Sequence, residues 1–335
     1  MYKAINFFDV EFTRLKKNLR SRYNLAFNKE RIEKHYGTKY SIPEVLYIEC
    51  TNVCNARCVF CYYPKIEATL PRSYMDLEAF EKVVHDYASI GGRRIALTPT
   101  VGDPFVDKFF SERMRILDDS KIEKVHLYTN LIKVNRRIQE SFHRISNFEL
   151  SIYVSIAGFD RSAYHRLMGV DKFDNMRDNL KDISEITRRN PNVKLALRLQ
   201  EYYGSKAAKA EFLEYIERLG LAYKVKTLVD TWGGLVEEEI DQFSELEKRA
   251  RLRRVGPCHI SYTKPVVTVD SKLKLCDCRD VSDELVVGDL SKDTLMDIWR
   301  GDKVEEMRSS MYSDNDMAEI CKKCEMYVSI FDHKK

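Results

Sequence analysis

The sequence contains no long hydrophobic run. Nowhere in its 335 residues do 18 apolar residues follow one another, and a helix that spans a membrane needs about that number. The amino terminus, MYKAINFFDVEF, also lacks the basic region, the apolar stretch and the small-residue cleavage site of a signal peptide. We therefore expect a cytoplasmic protein without a transmembrane segment.

The net charge is also small. The chain carries 56 Lys and Arg against 52 Asp and Glu, without the basic excess of nucleic-acid-binding domains, so we expect no nucleic-acid partner. Residues 1–40 differ from the rest, with ten Lys and Arg against four Asp and Glu. Apolar residues recur there at helical spacing, which predicts a basic helical extension over residues 1–44. This helix either packs on the main domain with a solvated basic face, or docks a partner or a membrane surface.

Apolar strand-like runs alternate with amphipathic helical segments from residue 45 to residue 230. Six strands are predicted, at 45–50, 93–99, 125–130, 148–158, 193–200 and 223–230. The helices predicted between them are at 75–92, 105–118, 134–144, 173–188 and 206–219. Such alternation implies right-handed βαβ units and a parallel sheet, either open and doubly wound or a partial barrel. No G-x-G-x-x-G follows the first strand, which argues against a dinucleotide-binding domain.

The alternation stops at residue 231. Residues 231–257 lie between Gly-Gly and Gly-Pro and are predicted to be a linker with one short helix. The segment 258–335 holds five of the nine cysteines and has too little apolar sequence for a large core, so we expect a small module that needs a metal or a cross-link. In a reducing compartment, metal or redox chemistry explains clustered thiols better than disulfides.

Cys54, Cys58 and Cys61 follow the first predicted strand, where parallel α/β proteins build active sites. If this segment is helical, its i, i+4 and i+7 positions share one face and the sulfurs converge. Thiolates select zinc and iron–sulfur clusters. Three ligands leave one metal position open, as in sites that bind a substrate or cofactor.

The spacing C-x3-C-x2-C, with Phe60 before the last cysteine, resembles the signature of the radical S-adenosylmethionine (SAM) enzymes. The resemblance implies a partial (β/α)6 barrel, in agreement with the six βα units. It also implies a [4Fe–4S] cluster held by the three cysteines, with SAM chelating the fourth iron and Phe60 beside it. The expected activity is reductive cleavage of SAM to a 5′-deoxyadenosyl radical, with electrons from a flavodoxin or ferredoxin.

The resemblance extends to the ends of later strands. TPTVGDP (98–104) is similar to the G-G-E-P turn that holds the SAM amino group, with Gly102 and Asp103 matching and Val101 in place of a glycine. YTN (128–130) is similar to a T-N-G turn, with Asn130 matching and Leu131 in place of the glycine. The resemblance implies SAM contacts from these residues, from Ser155 to the ribose and from Arg198 to the carboxylate.

Four further cysteines suit a closed site: Cys258, Cys276, Cys321 and Cys324. Between the first two, KPVVTVDSKLKLCDC predicts a hairpin that turns near Asp270 and Ser271. GDLSKDTLMDIW (288–299) resembles the SPASM and Twitch modules that follow radical SAM barrels. With no later cysteine, the segment resembles the Twitch type, which implies one auxiliary [4Fe–4S] cluster. A structural zinc with the same four ligands is the alternative.

Cys278 has three interpretations. It is a spare thiol near the cluster, a ligand in place of Cys276, or a catalytic residue that returns a hydrogen atom to a substrate radical. Its neighbours Arg279 and Asp280, and the Trp232-Gly-Gly turn, are expected near the substrate pocket.

The expected substrate is a small polar molecule: a sugar, aminocyclitol or nucleoside derivative that is oxidised or epimerised. An enzyme that modifies peptides or proteins, of the ribosomal-peptide maturase type, is the alternative. The remote alternative is a non-catalytic protein that binds an iron–sulfur cluster or zinc.

Overall fold

The computed structural model describes residues 7–98, 100–200, 205–226, 228–242, 247–248, 254–276 and 279–332. The helices are α1 (Phe7–Lys39), α2 (Tyr63–Ile66), α3 (Leu77–Ser89), α4 (Phe110–Asp118), α5 (Arg136–Arg144), α6 (Arg161–Met168), α7 (Phe173–Arg189), α8 (Lys206–Arg218), α9 (Glu237–Asp241), α10 (Ile260–Thr263), α11 (Leu295–Trp299), α12 (Asp302–Ser310) and α13 (Glu319–Lys323). The strands are β1 (Leu46–Ile48), β2 (Arg94–Ala96), β3 (Lys124–Thr129), β4 (Glu149–Ala157), β5 (Val193–Gln200), β6 (Ala222–Lys226), β7 (Leu228–Val229), β8 (Glu247–Lys248), β9 (Val266–Val267), β10 (Lys272–Lys274) and β11 (Val286–Asp289). None of the described helices is long and apolar enough to cross a membrane.

Strands β1 to β6 lie side by side in chain order, and every neighbouring pair is parallel. Helices join consecutive strands, as βαβ crossovers require. Residues of β4 alternate in burial: Leu150, Ile152, Val154 and Ile156 are buried, and Ser151, Tyr153 and Ser155 between them are partly exposed. One face of the strand therefore packs on the helices, and the other faces the concave side of the sheet. The predicted α/β fold, with the strand order of a partial (β/α)6 barrel, is confirmed.

The C-terminal segment continues the same sheet. Strand β9 pairs in parallel with β1, and β10 and β11 follow in antiparallel order. The predicted hairpin is present, because β9 and β10 are joined by a turn in which Ser271 has a φ of +66°. Val267, Leu273 and Trp299 belong to the hydrophobic core of the barrel. The hairpin of the expected small C-terminal module therefore pairs with the edge of β1, and the module shares the core of the barrel.

The predicted N-terminal helix is present as α1, which spans Phe7–Lys39. Its residues Tyr36 and Tyr40 pack with Val255, Tyr262 and Phe331 in a second, smaller hydrophobic cluster. The helix therefore rests on the C-terminal part of the chain. The domain boundaries at residues 44, 230 and 257 stay a prediction.

Two local predictions need correction. The helix expected over 105–118 is a 3₁₀ turn, Pro104–Val106, followed by α4, because Pro104 and the cap Asp103 start a separate turn. Helix α6 was not predicted. It is short and ends at Gly169, which adopts the left-handed conformation. The short helix expected in the 231–257 segment is α9.

Candidate active site at the barrel mouth

A cavity of about 310 Å³ opens where the parallel strands end. Strand ends are where barrels of this kind place reactive groups. The cavity brings together all the residues predicted for the first cluster and for SAM: Cys54, Cys58, Phe60, Cys61, Gly102, Asp103, Asn130, Ser155 and Arg198. Residues separated by up to about 145 positions in the sequence thus share one site, although their roles stay predictions.

The three-cysteine segment is a loop, contrary to the helical arrangement that we considered. Helix α6 holds this loop in place. The backbone N–H of Arg57 donates to the Met168 carbonyl at 2.9 Å, and that of Val59 donates to the Leu167 carbonyl at 3.0 Å. Gly169 allows this approach, because a Cβ atom there would lie 2.2 Å from the Arg57 carbonyl oxygen. The sulfurs converge through this docking rather than through helical periodicity.

The three thiols lie in a common, buried environment. Burial raises the pKa of Cys54 to about 12 and also raises the pKa values of Cys58 and Cys61. The charge of a Cys61 thiolate further raises the pKa values of Cys54 and Cys58, so the sulfurs are close enough to interact. A bound cation would reverse this preference and favour thiolates. The donor set therefore fits a metal centre.

Asp103 links the loop after β2 to the end of β3. Its carboxylate accepts hydrogen bonds from the Phe105 N–H at 2.9 Å, the Thr129 hydroxyl at 3.0 Å and the Asn130 N–H at 2.7 Å. Burial raises the Asp103 pKa, and these hydrogen bonds oppose the shift. Both carboxylate oxygens thus already accept hydrogen bonds from the protein. Asp103 positions the turn, and direct contact with the SAM amino group stays a prediction.

Asn130 connects that turn with the cysteine loop. Its side-chain amide donates to the Asn55 side chain at 2.7 Å and lies 3.8 Å from the Cys54 sulfur. The next residue, Leu131, has a φ of +59°, a conformation that favours glycine. Leu131 is fully buried, and its N–H donates to the Thr129 hydroxyl at 3.0 Å. Burial and this hydrogen bond keep the turn without the glycine of the T-N-G pattern.

Ser155 and Arg198 lie on neighbouring strands of the concave face. They are register partners between β4 and β5, and both line the cavity. The Arg198 guanidinium carbon lies 4.5 Å from the centre of the Tyr128 ring, which holds the cation above an aromatic face. At this wall, Arg198 can pair with a ligand carboxylate while the adjacent Ser155 forms a hydrogen bond with a ligand hydroxyl. Their assignment to SAM stays a prediction.

Another part of the cavity wall contains residues that the sequence predicted only in part. Arg279 lines the cavity, as expected, and its Nε donates to the Asp230 carboxylate at 2.7 Å. Its guanidinium carbon lies 4.2 Å from the centre of the Trp232 ring, and the Trp232 indole donates to the Phe60 carbonyl at 3.0 Å. Asp280, by contrast, is fully buried and accepts hydrogen bonds from two backbone N–H groups.

Several other lining residues were not predicted, among them Met168, Gln200, Lys226, Asp230 and Met326. They come from elements far apart in the chain and form no motif. Gln200 and Asp230 could have been found because each is the last residue of a predicted strand. Lys226 could not, because the strand predicted over 223–230 ends in the structure at Lys226.

The second cysteine set lies beside this wall. Burial raises the pKa of Cys324 to about 12 and also raises that of Cys321, and Cys258 and Cys276 raise both pKa values further. The four predicted ligands thus interact electrostatically. Cys278 lies outside the described residues, so its three interpretations stay predictions.

Arg254 fixes the turn of this second set, because its guanidinium donates to the carbonyls of Cys321 and Cys324. The Met326 N–H lies 3.3 Å from the Cys324 sulfur, and Met326 itself lines the cavity. The second set therefore adjoins the cavity.

All eight described cysteines are free thiols. Within the described residues, no three His, Cys, Asp or Glu side chains are arranged as ligands of one metal ion. Each iron of a [4Fe–4S] cluster takes its own thiolate, whereas a structural zinc ion takes all four.

Comparison with known families decides the class of the protein. The family profile described as the radical SAM superfamily matches residues 48–197, and the SPASM profile, an iron–sulfur cluster-binding domain, matches residues 258–325. The chain contains a radical SAM domain followed by a SPASM domain. A radical SAM domain binds a [4Fe–4S] cluster and SAM, and a SPASM domain binds auxiliary iron–sulfur clusters. The donor sets described above fit both groups.

Similar curated proteins match only part of this radical SAM chain. GTP 3′,8-cyclase of Aeromonas hydrophila is 28% identical over 142 residues, which are 41% of this chain and 40% of the relative. GTP 3′,8-cyclase of Pasteurella multocida is 29% identical over 146 residues, which are 42% of this chain and 41% of the relative. The chain thus spans well under half the length of these relatives.

Solved structures show the same fold. Streptococcus suis SuiB bound to SAM matches with a TM-score of 0.59 and 15% identity, over 88% of this chain and 75% of SuiB. BtrN in complex with SAM and 2-DOIA matches with a TM-score of 0.53 and 15% identity, over 84% of this chain and 93% of BtrN. At this identity, the likeness concerns the fold alone.

Proposed function

We propose that this radical SAM enzyme abstracts a hydrogen atom from a small polar molecule bound at the barrel mouth, namely a sugar, aminocyclitol or nucleoside derivative. One observation carries the proposal: a single cavity is lined both by the three-cysteine loop and by a charged, hydrogen-bonding wall. The wall includes Gln200, Lys226, Asp230 and Arg279. A pocket with a few convergent polar groups is typical of small-molecule sites.

Cys54, Cys58 and Cys61 would hold the first cluster, and Phe60, Gly102, Asp103, Asn130, Ser155 and Arg198 would surround SAM. When bound, the reduced cluster and SAM supply a 5′-deoxyadenosyl radical that takes a hydrogen atom from a substrate C–H bond. The chain's own residues orient the ligands: Asp103 and Asn130 fix the turns, and Arg198 offers a cation. The Asp230–Arg279–Trp232 assembly orients the substrate and restricts its movement.

The four remaining cysteines would hold an auxiliary cluster next to Met326 and the substrate wall. This neighbourhood suits removal of an electron from the substrate, which makes oxidation the proposed outcome. The second proposed outcome is epimerisation, with Cys278 as the hydrogen-atom donor. The partial match to GTP 3′,8-cyclases adds nucleotides to the candidate substrates and cyclisation of a nucleotide to the candidate reactions.

Turnover of SAM tests the enzymatic class. We expect anaerobically reconstituted protein with SAM and dithionite to form 5′-deoxyadenosine, and alanine at Cys54, Cys58 and Cys61 to abolish it. Cys50→Ala is the matched control, because Cys50 is buried in the core outside the cavity. A fully loaded protein that forms no 5′-deoxyadenosine contradicts the proposal.

Substrate stimulation tests the substrate class. GTP, free nucleosides, aminocyclitols, nucleotide-activated sugars and short cysteine-containing peptides are each added, and 5′-deoxyadenosine formation is compared with the rate without substrate. We expect stimulation by a small polar compound and weaker stimulation in Asp230→Asn. Transfer of deuterium from a labelled substrate to 5′-deoxyadenosine would establish abstraction. Stimulation by peptides alone would contradict a small-molecule substrate.

A further inference from the structure

The outer face of α1 carries an apolar stripe with no covering element in the described part of the chain. Leu19, Tyr23 and Phe27 are 58%, 60% and 74% exposed, whereas the other exposed large apolar residues of the described chain are 36–39% exposed. The three positions are spaced i, i+4 and i+8, so they lie in one row on the helix. The Tyr23 and Phe27 ring centres are 5.0 Å apart. This row is called the α1 stripe below.

The helix that carries the stripe is fixed to the body of the protein by its other face. The Asn24 side chain donates to the Phe331 carbonyl at 2.8 Å, and the Trp299 indole donates to the Tyr40 carbonyl at 3.2 Å. Arg20 pairs with Asp332. The apolar groups of α1 are thus divided between a buried inner face and the exposed stripe. Burial against the protein does not explain the stripe.

Positive charge is concentrated on the same helix. Residues 1–40 carry ten Lys and Arg against four Asp and Glu, whereas the remaining residues carry 46 against 48. Arg22, Arg31 and Lys34 are exposed on α1 within one to seven positions of a stripe residue, and the exposed Glu30 is the acid on that face. Aromatic and aliphatic side chains in a row, with cations nearby, are the composition of helices that lie on anionic membranes.

We propose that the α1 stripe docks this protein on an anionic lipid surface, with Leu19, Tyr23 and Phe27 inserted at the headgroup level and Arg22, Arg31 and Lys34 against lipid phosphates. A second copy of the chain fits this surface less well. If two α1 stripes packed against each other in antiparallel order, the nearby cations of both copies would repel one another. Three side chains also supply far less apolar area than a stable protein interface of about 800 Å² per partner. A lipid surface needs no matching shape and supplies the opposite charge.

Co-sedimentation of the reconstituted full chain with vesicles tests this proposal. We expect binding to phosphatidylcholine vesicles that contain about 30% phosphatidylserine, no binding to pure phosphatidylcholine, and release in about 1 M salt. Tyr23→Ser combined with Phe27→Ser should lower the partition coefficient at least about tenfold. Charge reversal at Arg22, Arg31 and Lys34 should abolish binding.

Tyr223→Ser is the matched control, because Tyr223 is a partly exposed tyrosine on β6 and away from α1. It should leave vesicle binding unchanged, and all variants should unfold at the wild-type temperature. Absence of binding to anionic vesicles overturns the proposal, as does binding that the stripe variants do not reduce. A dimer seen by light scattering that Phe27→Ser converts to monomer would assign the stripe to a second copy and overturn the lipid assignment.

Discussion

Thr231 and Glu325 join the substrate wall to the second cysteine set. The Thr231 N–H donates to one Glu325 carboxylate oxygen at 2.6 Å, and the Thr231 hydroxyl donates to the other at 2.5 Å. Both residues are buried. Thr231 lies between Asp230 and Trp232, and Glu325 directly follows Cys324, so a single carboxylate holds two candidate sites together.

Replacement of Glu325 by Gln is therefore expected to destabilise the protein. The amide cannot accept both hydrogen bonds, and a buried donor is left unpaired, which costs about 2 kcal/mol. Urea unfolding at constant cofactor loading measures the effect. Glu319→Gln on α13 is the control, because Glu319 is 62% exposed and pairs only with Lys322 in a surface ion pair. Equal stabilities of the two variants would contradict the role of Glu325.

Gly169→Ala is expected to disturb the first cysteine site selectively. Gly169 has a φ of +69°, and a Cβ atom would clash with the Arg57 backbone, so we expect a loss of about 3 kcal/mol or more and reduced iron at this site. Gly220→Ala provides a matched comparison, because Gly220 has a φ of +71° but nothing within 4 Å of its added Cβ. It should cost about 1 kcal/mol and leave iron loading unchanged. Equal iron content in both variants would exclude α6 as the support of the cysteine loop.

Iron content distinguishes two clusters from one cluster and a zinc ion. Fully reconstituted protein is expected to hold about eight iron atoms, and about four should remain when Cys54, Cys58 and Cys61 are replaced by Ala. Replacement of the four C-terminal cysteines should likewise leave about four. Elemental analysis with Mössbauer or EPR spectra checks both values. About four iron atoms and one zinc in the wild type would refute the auxiliary cluster.

His126 is expected to make stability depend on pH. It lies among aromatic rings on the concave face, with its Nε2 3.4 Å from the Tyr47 hydroxyl. Burial lowers the His126 pKa from 6.5 to about 4, with Lys264 and Arg94 acting in the same direction. The folded state favours the neutral imidazole of His126. The stability that this neutral ring contributes is therefore fully present above pH 6.5 and is lost as the pH falls toward 4. The loss amounts to up to about 3 kcal/mol.

Urea unfolding between neutral and mildly acidic pH measures this dependence. His126→Phe should flatten the curve relative to wild type, since phenylalanine does not titrate. The exposed His143 on α5 supplies the control, and His143→Gln should leave the slope unchanged. If the free energy of unfolding of His126→Phe changed with pH as steeply as that of the wild type, groups other than His126 would cause the acid sensitivity.

The sequence allowed prediction of the features that are local in the chain. Cys54, Cys58 and Cys61 fall within eight positions, and β1 to β5 lie in apolar or alternating runs, so spacing and periodicity suffice. The sixth strand was predicted to reach residue 230, but β6 is largely exposed and ends at Lys226. The conformation of the cysteine loop was not predictable, because it depends on α6, more than 100 residues later. The Asp230–Arg279 contact depends on tertiary folding for the same reason. Leu131 is a further case that the sequence alone could not settle. A leucine in place of the glycine suggests a departure from the T-N-G turn, but burial of Leu131 keeps the geometry of that turn.

The pairing of β9 with β1 has a consequence for how this protein can be divided. Without the C-terminal hairpin, β1 would present unpaired N–H and C=O groups at an open edge, directly before the cysteine loop. Such an edge recruits strands from other chains, so a barrel cut at residue 257 would be prone to aggregation. The C-terminal segment is thus an integral edge of the barrel. Exchange of this segment between related proteins requires a hairpin that matches β1 as well as the right cysteines.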